Sequence, residues 1–213
     1  MKRILCYGDS NTWGYMPGTG ERYPESIRWT RRMASLLGEG YEVLEEGLSG
    51  RTTVLDDPYS PCRNGLAGLG YALIAQKPLD LAILMLGTND FPVADASRTA
   101  RGIEILARQI LDADTIYRES PPIFPSGAKL LLVSPIHLHP EIFTRCPELR
   151  ARDKYEESVK LAGLCRDLAE RLSVQFLDAA LYAKASEVDC VHMTQESHLA
   201  LGEAMARKVK EIL

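Results

Sequence analysis

The chain has 213 residues, 46% of them hydrophobic and 25% charged, with a formal net charge of −4. That is ordinary composition and enough chain for one substantial core, so a single domain over 1–213 is expected. The acidic balance and the lack of a basic cluster exclude a nucleic-acid footprint, and no apolar run approaches the ~20 residues of a membrane span.

In chain order, Arg3 to Tyr7 predicts a buried strand that stops at Gly8, with Ser10 two positions later. The basic start Met1-Lys2-Arg3 resembles that of a signal peptide. Gly8-Asp9 interrupts it before a long apolar region develops, so strand is the reading. Tyr15 to Ile27, rich in Gly, Pro and charge, reads as a surface loop. Arg28 to Leu37 predicts a helix, with Trp29, Met33 and Leu36/Leu37 at helical spacing and Gly38 as its stop. Tyr41 to Glu46 is a second strand. The glycine-rich turn Gly47-Leu48-Ser49-Gly50 and a loop through Asp56-Asp57-Pro58 follow, and Leu66 to Ala75 is a modest helix. Leu79 to Leu86 is nearly continuously apolar, as a central parallel strand covered on both faces requires. It runs into Gly87-Thr88-Asn89-Asp90.

Ile103, Leu106, Ala107, Ile110 and Leu111 form one helix face. Asp112 to Gly127 contains three prolines and reads mostly as loop. Lys129 to Ser134 is a fourth strand, and a long helix is expected over about 151–172. Val174 to Leu177 is the last strand. Thr194 caps a terminal helix whose inner face is Leu201, Met205, Val209 and Ile212. Five strands alternating with helices make an α/β sandwich around a parallel sheet.

The five cysteines, at 6, 62, 146, 165 and 190, are odd in number, scattered, and form no Cys-x-x-Cys. They point to reduced thiols in a cytoplasm, against a disulfide frame and against a zinc site.

In such a sheet, ligands bind beyond the carboxyl ends of the strands. Ser10 follows strand one, Gly50 strand two, Asn89 strand three, and Asp189 and His192 lie in the last loop. Each alone has a bland reading as a turn former, helix cap or satisfied polar group. Together they are the parts of acyl transfer through serine. A histidine takes the hydroxyl proton, a carboxylate orients the histidine, and fixed donors meet the oxyanion. The Ser10 and Gly50 N–H groups and the Asn89 amide are the candidate donors.

Trp13, one helical turn from Ser10, is a candidate wall of the substrate pocket, along with Asn11 and His137. Arg51 is expected to pair with Asp56 or Asp57. His137 and His139 lack the cysteine or carboxylate cluster that a metal site needs, and His198 is read as surface. No Gly-x-Gly-x-x-Gly or Walker lysine pattern supports a nucleotide, so neither cofactor nor metal is expected.

Gly8-Asp9-Ser10, the glycine of Gly47-Leu48-Ser49-Gly50, Gly87-Thr88-Asn89-Asp90 and Asp189-Cys190-Val191-His192 resemble the four blocks of the SGNH (GDSL) hydrolases. Gly8-Asp9-Ser10-Asn11-Thr12-Trp13-Gly14, Arg28-Trp29, Glu45-Glu46-Gly47-Leu48-Ser49-Gly50-Arg51-Thr52-Thr53 and Asp56-Asp57-Pro58 are similar to one branch, the bacterial arylesterase/acyltransferase group. The resemblance implies a flavodoxin-like three-layer sandwich, with a five-stranded parallel sheet and helices on both faces. It implies a serine esterase acting on small acyl esters, with Ser10 nucleophile, His192 general base and Asp189 its orienting acid. Ser10, Gly50 and Asn89 would supply the oxyanion donors.

Asn11 replaces the leucine of the family's first block, and Glu45 stands where the second commonly has asparagine. Alternative readings are a carbohydrate O-acetylesterase, a lysophospholipase or thioesterase, transfer of the acyl group to alcohols, and a non-catalytic binding module. The expected partner is a small-molecule ester, and self-association is compatible with all of these.

Overall fold

A computed structural model of the chain describes residues 1–145 and 154–213. Five strands form one sheet: β1 (Lys2–Gly8), β2 (Tyr41–Gly47), β3 (Leu81–Met85), β4 (Leu130–Ser134) and β5 (Gln175–Asp178). Their spatial order is β2-β1-β3-β4-β5 and every pairing is parallel. This is the flavodoxin-like order, whose switch point lies between β1 and β3.

Among the described residues the α-helices are α1 (Ser10–Trp13), α2 (Trp29–Leu37), α3 (Gly65–Gln76), α4 (Ala96–Leu111), α5 (Ala113–Tyr117), α6 (Ile142–Arg145), α7 (Lys154–Leu172) and α8 (Gln195–Ile212). Successive strand residues face opposite sides, and this period of two divides the core. Leu5, Tyr7, Ala82, Leu84 and Leu132 face a layer with Leu69 and Leu73 of α3, Ile103 and Leu106 of α4, and Leu161 and Leu168 of α7. Ile4, Cys6, Ile83, Met85, Leu131 and Val133 face Trp29 and Met33 of α2 and Leu201, Met205 and Val209 of α8. β3 and β4 are buried along their whole length, which explains their unbroken apolar sequence.

The predicted strands and long helices are present. The 112–127 segment is not mostly loop at its start, where α5 packs Ala113 into the core. All three of its prolines lie beyond that helix. The predicted start of the long helix at 151, and Cys146, lie outside the described residues.

Candidate active site

The first catalytic-edge element is built by a glycine. A Cβ on Gly8 would meet Thr12 Oγ1 at 2.0 Å and the Met85 carbonyl at 2.9 Å, so a larger residue would prevent α1 from starting directly on β1. Asp9 caps α1, its carboxylate accepting from the Asn11 N–H at 3.0 Å. Burial pushes that carboxyl up to about 6, against the opposing pull of the Asn11 N–H and the His192 ring. Ser10 opens α1, where a backbone N–H has no acceptor within the helix.

The histidine arrives from the far end of the chain. In the loop between β5 and α8, Asp189 Oδ1 accepts from the Val191 and His192 N–H groups at 3.1 and 3.0 Å. Its Oδ2 lies 2.8 Å from His192 Nδ1, and His192 Nε2 lies 2.9 Å from Ser10 Oγ. The carboxylate assigns the ring proton to Nδ1 and leaves Nε2 facing the hydroxyl as acceptor. Burial raises the Asp189 carboxyl, but the His192 side-chain and backbone hydrogen bonds outweigh it and hold the group below its ordinary value.

Asn11 fastens the two ends of the site together. Its amide donates to the Val191 carbonyl at 3.3 Å, and its oxygen accepts from the Met193 N–H at 2.9 Å. The Trp29 indole donates to the Asn11 carbonyl at 3.1 Å. A leucine at this position could make neither side-chain bond.

On the β2 and β3 sides, Gly50 adopts φ +80°, a left-handed conformation that suits glycine. The Arg51 N–H closes that turn onto the Leu48 carbonyl at 3.0 Å. Asn89 lies in a short 3₁₀ turn, Thr88–Asp90, and gives one amide hydrogen to the Arg51 carbonyl at 3.0 Å. An amide carries a second hydrogen. The neighbouring Asp90 carboxylate holds the Thr53 N–H at 3.0 Å and the Thr53 hydroxyl, and burial pushes it up to about 6.

Beside Asn89 and His192 is a cavity of about 210 Å³, otherwise lined mainly by Phe91, Pro92, Leu138, Ile142, Val191 and Lys154. His137 does not reach it. With His139, it lines a larger neighbouring groove of about 720 Å³ that contains neither Ser10 nor His192. Trp13 lines neither space; it lies beside Tyr15 (ring centroids 6.4 Å apart) and under the Arg22 guanidinium.

Two further expectations fail. Arg51 does not pair with Asp56 or Asp57: buried, it donates to the Gly8 carbonyl at 2.9 Å and to the Glu46 carbonyl, and stacks on the Tyr7 ring. It thereby ties the ends of β1 and β2. His198 is not on the surface but fully buried, its Nδ1 facing the Trp29 N–H, and burial holds it down to about 3. The residue that sequence reasoning missed is Tyr15, whose ring stacks on His192 with centroids 4.0 Å apart and planes 25° from parallel. It lies in the segment from Tyr15 to Ile27 that reads from the sequence as a surface loop.

Among the described residues, no group of three or more His, Cys, Asp or Glu side chains is placed to hold a metal ion. None of their helices is long and apolar enough to cross a membrane.

Comparison with known proteins adds to this geometry. The GDSL-like lipase/acylhydrolase family matches residues 6–200. The structure is similar to an aryl esterase of M. smegmatis and to Est24, a carbohydrate acetylesterase of Sinorhizobium meliloti. Each is 36% identical, with full coverage of both chains and a TM-score of 0.90. A lipase/acylhydrolase of Enterococcus faecalis, 20% identical over 99% of this chain and 96% of that one, shares the fold at a TM-score of 0.69. Comparison with curated proteins gives no match.

Proposed function

The chain belongs to the GDSL-like lipase/acylhydrolase family, and from that premise we propose that it is a cofactor-free, single-domain serine esterase for short acyl esters, working through an acyl-Ser10 intermediate. The observation that carries the reading is the continuous chain Ser10 Oγ–His192 Nε2, His192 Nδ1–Asp189 Oδ2, at 2.9 and 2.8 Å.

In the mechanism, Ser10 Oγ attacks the ester carbonyl as its proton passes to His192 Nε2. Asp189, kept ionised by its hydrogen bonds, stabilises the imidazolium through Nδ1–H. The carbonyl oxygen becomes an anion facing the Ser10 N–H, the Gly50 N–H and the second hydrogen of the Asn89 amide. Collapse expels the alcohol, which takes the proton from His192. A water or a second alcohol, deprotonated by the same Nε2, then releases the acyl group.

Asn89→Ala tests the oxyanion assignment. Loss of one preorganised donor is expected to lower kcat by roughly 10²–10³-fold, with KM little changed; an unaltered kcat removes Asn89 from the scheme.

The small apolar cavity favours a short acyl group. A space of about 210 Å³, somewhat larger than the ~150 Å³ cavity that takes benzene, bounds the acyl chain at roughly six to eight carbons, so initial rates on nitrophenyl esters should be carried by chains within that length and fall steeply by about twelve, because overfilling a packed pocket is costly. A maximum at long chains would replace this reading with a lipase or thioesterase role. The apolar lining also supports transfer to alcohols, measured as the ester-to-acid product ratio in water containing an alcohol. The likeness to Est24 supports acetylated carbohydrate as the second substrate class.

A further inference from the structure

We infer that Tyr15 is a positioning residue for His192: its ring is the platform that fixes the imidazole plane and steadies the positive charge the ring acquires when it takes the Ser10 proton. The inference deepens the esterase reading and rests on it for its catalytic meaning, although the contact itself can be tested without turnover.

The placement is built, not incidental. The Ser10 carbonyl accepts from the Gly14 N–H at 2.8 Å and from the Tyr15 N–H at 3.0 Å. The residue whose hydroxyl faces His192 therefore also holds the backbone of the residue stacked on it. Gly14, at φ +91°, ends α1 in the left-handed region and turns the chain back. A side chain there would collide with Arg28 Cδ at 2.6 Å, and Arg28 is itself held by Glu45 at 2.9 Å. Beyond Tyr15, an antiparallel bridge to Arg22 closes the loop, and Arg22 Nε donates to the Trp13 carbonyl at 2.7 Å.

The geometry also says which part of Tyr15 acts. Ring centroids 4.0 Å apart with nearly parallel planes put the electron-rich face of the phenol against the imidazole. The two hydrogen bonds of His192, to Ser10 and Asp189, lie in the imidazole plane and leave rotation out of it to be resisted by whatever covers the face. The phenol does this, and its quadrupole favours an imidazolium over a neutral ring. The hydroxyl makes no described hydrogen bond and lies out toward Gly20. The ring is the working part.

Other groups also act on the charge of His192. Asp189 bonds Nδ1; Asp9, at the start of α1, and His198, on α8, couple to it electrostatically; Lys154 lines the adjoining cavity. None of them changes in the comparison of Tyr15→Phe with Tyr15→Leu. Leucine covers the same face with apolar surface but has no π system, so the pair isolates the ring.

The test is an NMR titration of the His192 imidazole in the wild type and both variants, alongside the pH dependence of kcat/KM on nitrophenyl acetate. In Tyr15→Leu the imidazolium loses its partner. Its titration, and with it the acid limb of kcat/KM, should move to lower pH by roughly half a unit or more. At optimal pH, kcat is expected to fall by about 10-fold or more because a misplaced base slows proton transfer, with KM little altered. Tyr15→Phe should recover most of the rate and the wild-type titration. Equal titration curves in wild type and Tyr15→Leu overturn the inference, as does a Phe variant as impaired as the Leu variant. Failure of the esterase reading is distinct: the wild type would then show no Ser10-dependent hydrolysis, while the NMR shift would still report the stack.

Discussion

Ser10→Ala is expected to lower kcat on a short-chain aryl ester by roughly 10⁴–10⁶-fold while leaving the fold and its melting temperature essentially intact. The Ser10 hydroxyl makes one side-chain hydrogen bond, to His192. Its removal leaves Asp189 on the other side of that ring, Asp9 on the Asn11 N–H, and Asn11 on Val191 and Met193, the residues either side of His192. The structural consequences are thus small, and in the proposed mechanism the chemical ones are total, since the hydroxyl that faces His192 is gone. His192→Ala should cost about as much, and the double variant scarcely more than either single one, because in the proposed mechanism nucleophile and base act in one step. Additive losses would mean that the two serve separate steps. Wild-type rates in Ser10→Ala, with circular dichroism unchanged, would falsify the acyl-serine mechanism.

How much of this was legible in the sequence followed from the physics of each signal. β3 and β4 are covered on both faces, so their continuous apolar runs could hardly be anything else. Ser10, Gly50, Asn89, Asp189 and His192 were visible because each stands just past a strand or in the last loop, and a parallel sheet gathers those places on one edge. Tyr15 was hidden. Its position depends on one left-handed residue, Gly14, reversing the chain, and no periodicity marks where a loop side chain will land.

His198 was different, because its signal was present. It precedes Leu201, Met205 and Val209 at helical spacing and belongs to the inward stripe of α8, but its polarity suggested solvent. Arg51 misled for a similar reason. A guanidinium was expected to seek a carboxylate in the nearby loop; instead it satisfies strand-end carbonyls and an aromatic face, partners that a one-dimensional reading does not supply.

Glu45, a departure from the family pattern on the edge strand β2, carries the largest expected effect on stability. Its carboxylate is nearly buried and takes Arg28 Nε at 2.9 Å, Arg31 Nε at 2.9 Å, Arg22 at 3.3 Å and the Thr30 hydroxyl. Glu45→Ala leaves the equally buried Arg28 with only the exposed Glu25 carboxylate, at 3.6 Å, as its counter-charge, and a loss of roughly 3 kcal/mol is expected, since removing the close partner of a buried pair costs more than the pair is worth. Urea denaturation of wild type and variant at pH 7 measures it; a difference within 0.5 kcal/mol, the usual range for a surface change, would mean that water takes over the carboxylate's role.

The pH dependence provides an independent check. Burial raises the Glu45 carboxyl, but the hydrogen bonds from Arg28, Thr30 and Arg31 prevail and hold it at about 2, against an ordinary 4.5. The unfolded chain therefore takes up this proton first on acidification. Glu45's contribution is complete above about 4.5 and lost as the pH falls through about 2. Asp9 and Asp90, raised to about 6 by burial, have the opposite sign: the folded chain binds their protons first, between about 6 and 4. His198, held down to about 3, erodes stability on acidification below about 6.5. These three are common to wild type and Glu45→Ala, so the difference between the two stability curves isolates Glu45. That difference should stay flat from pH 7 to about 5 and then close as the pH approaches 2. A gap that persists undiminished at pH 2 would show that the lost stability comes from packing and not from the carboxylate's charge.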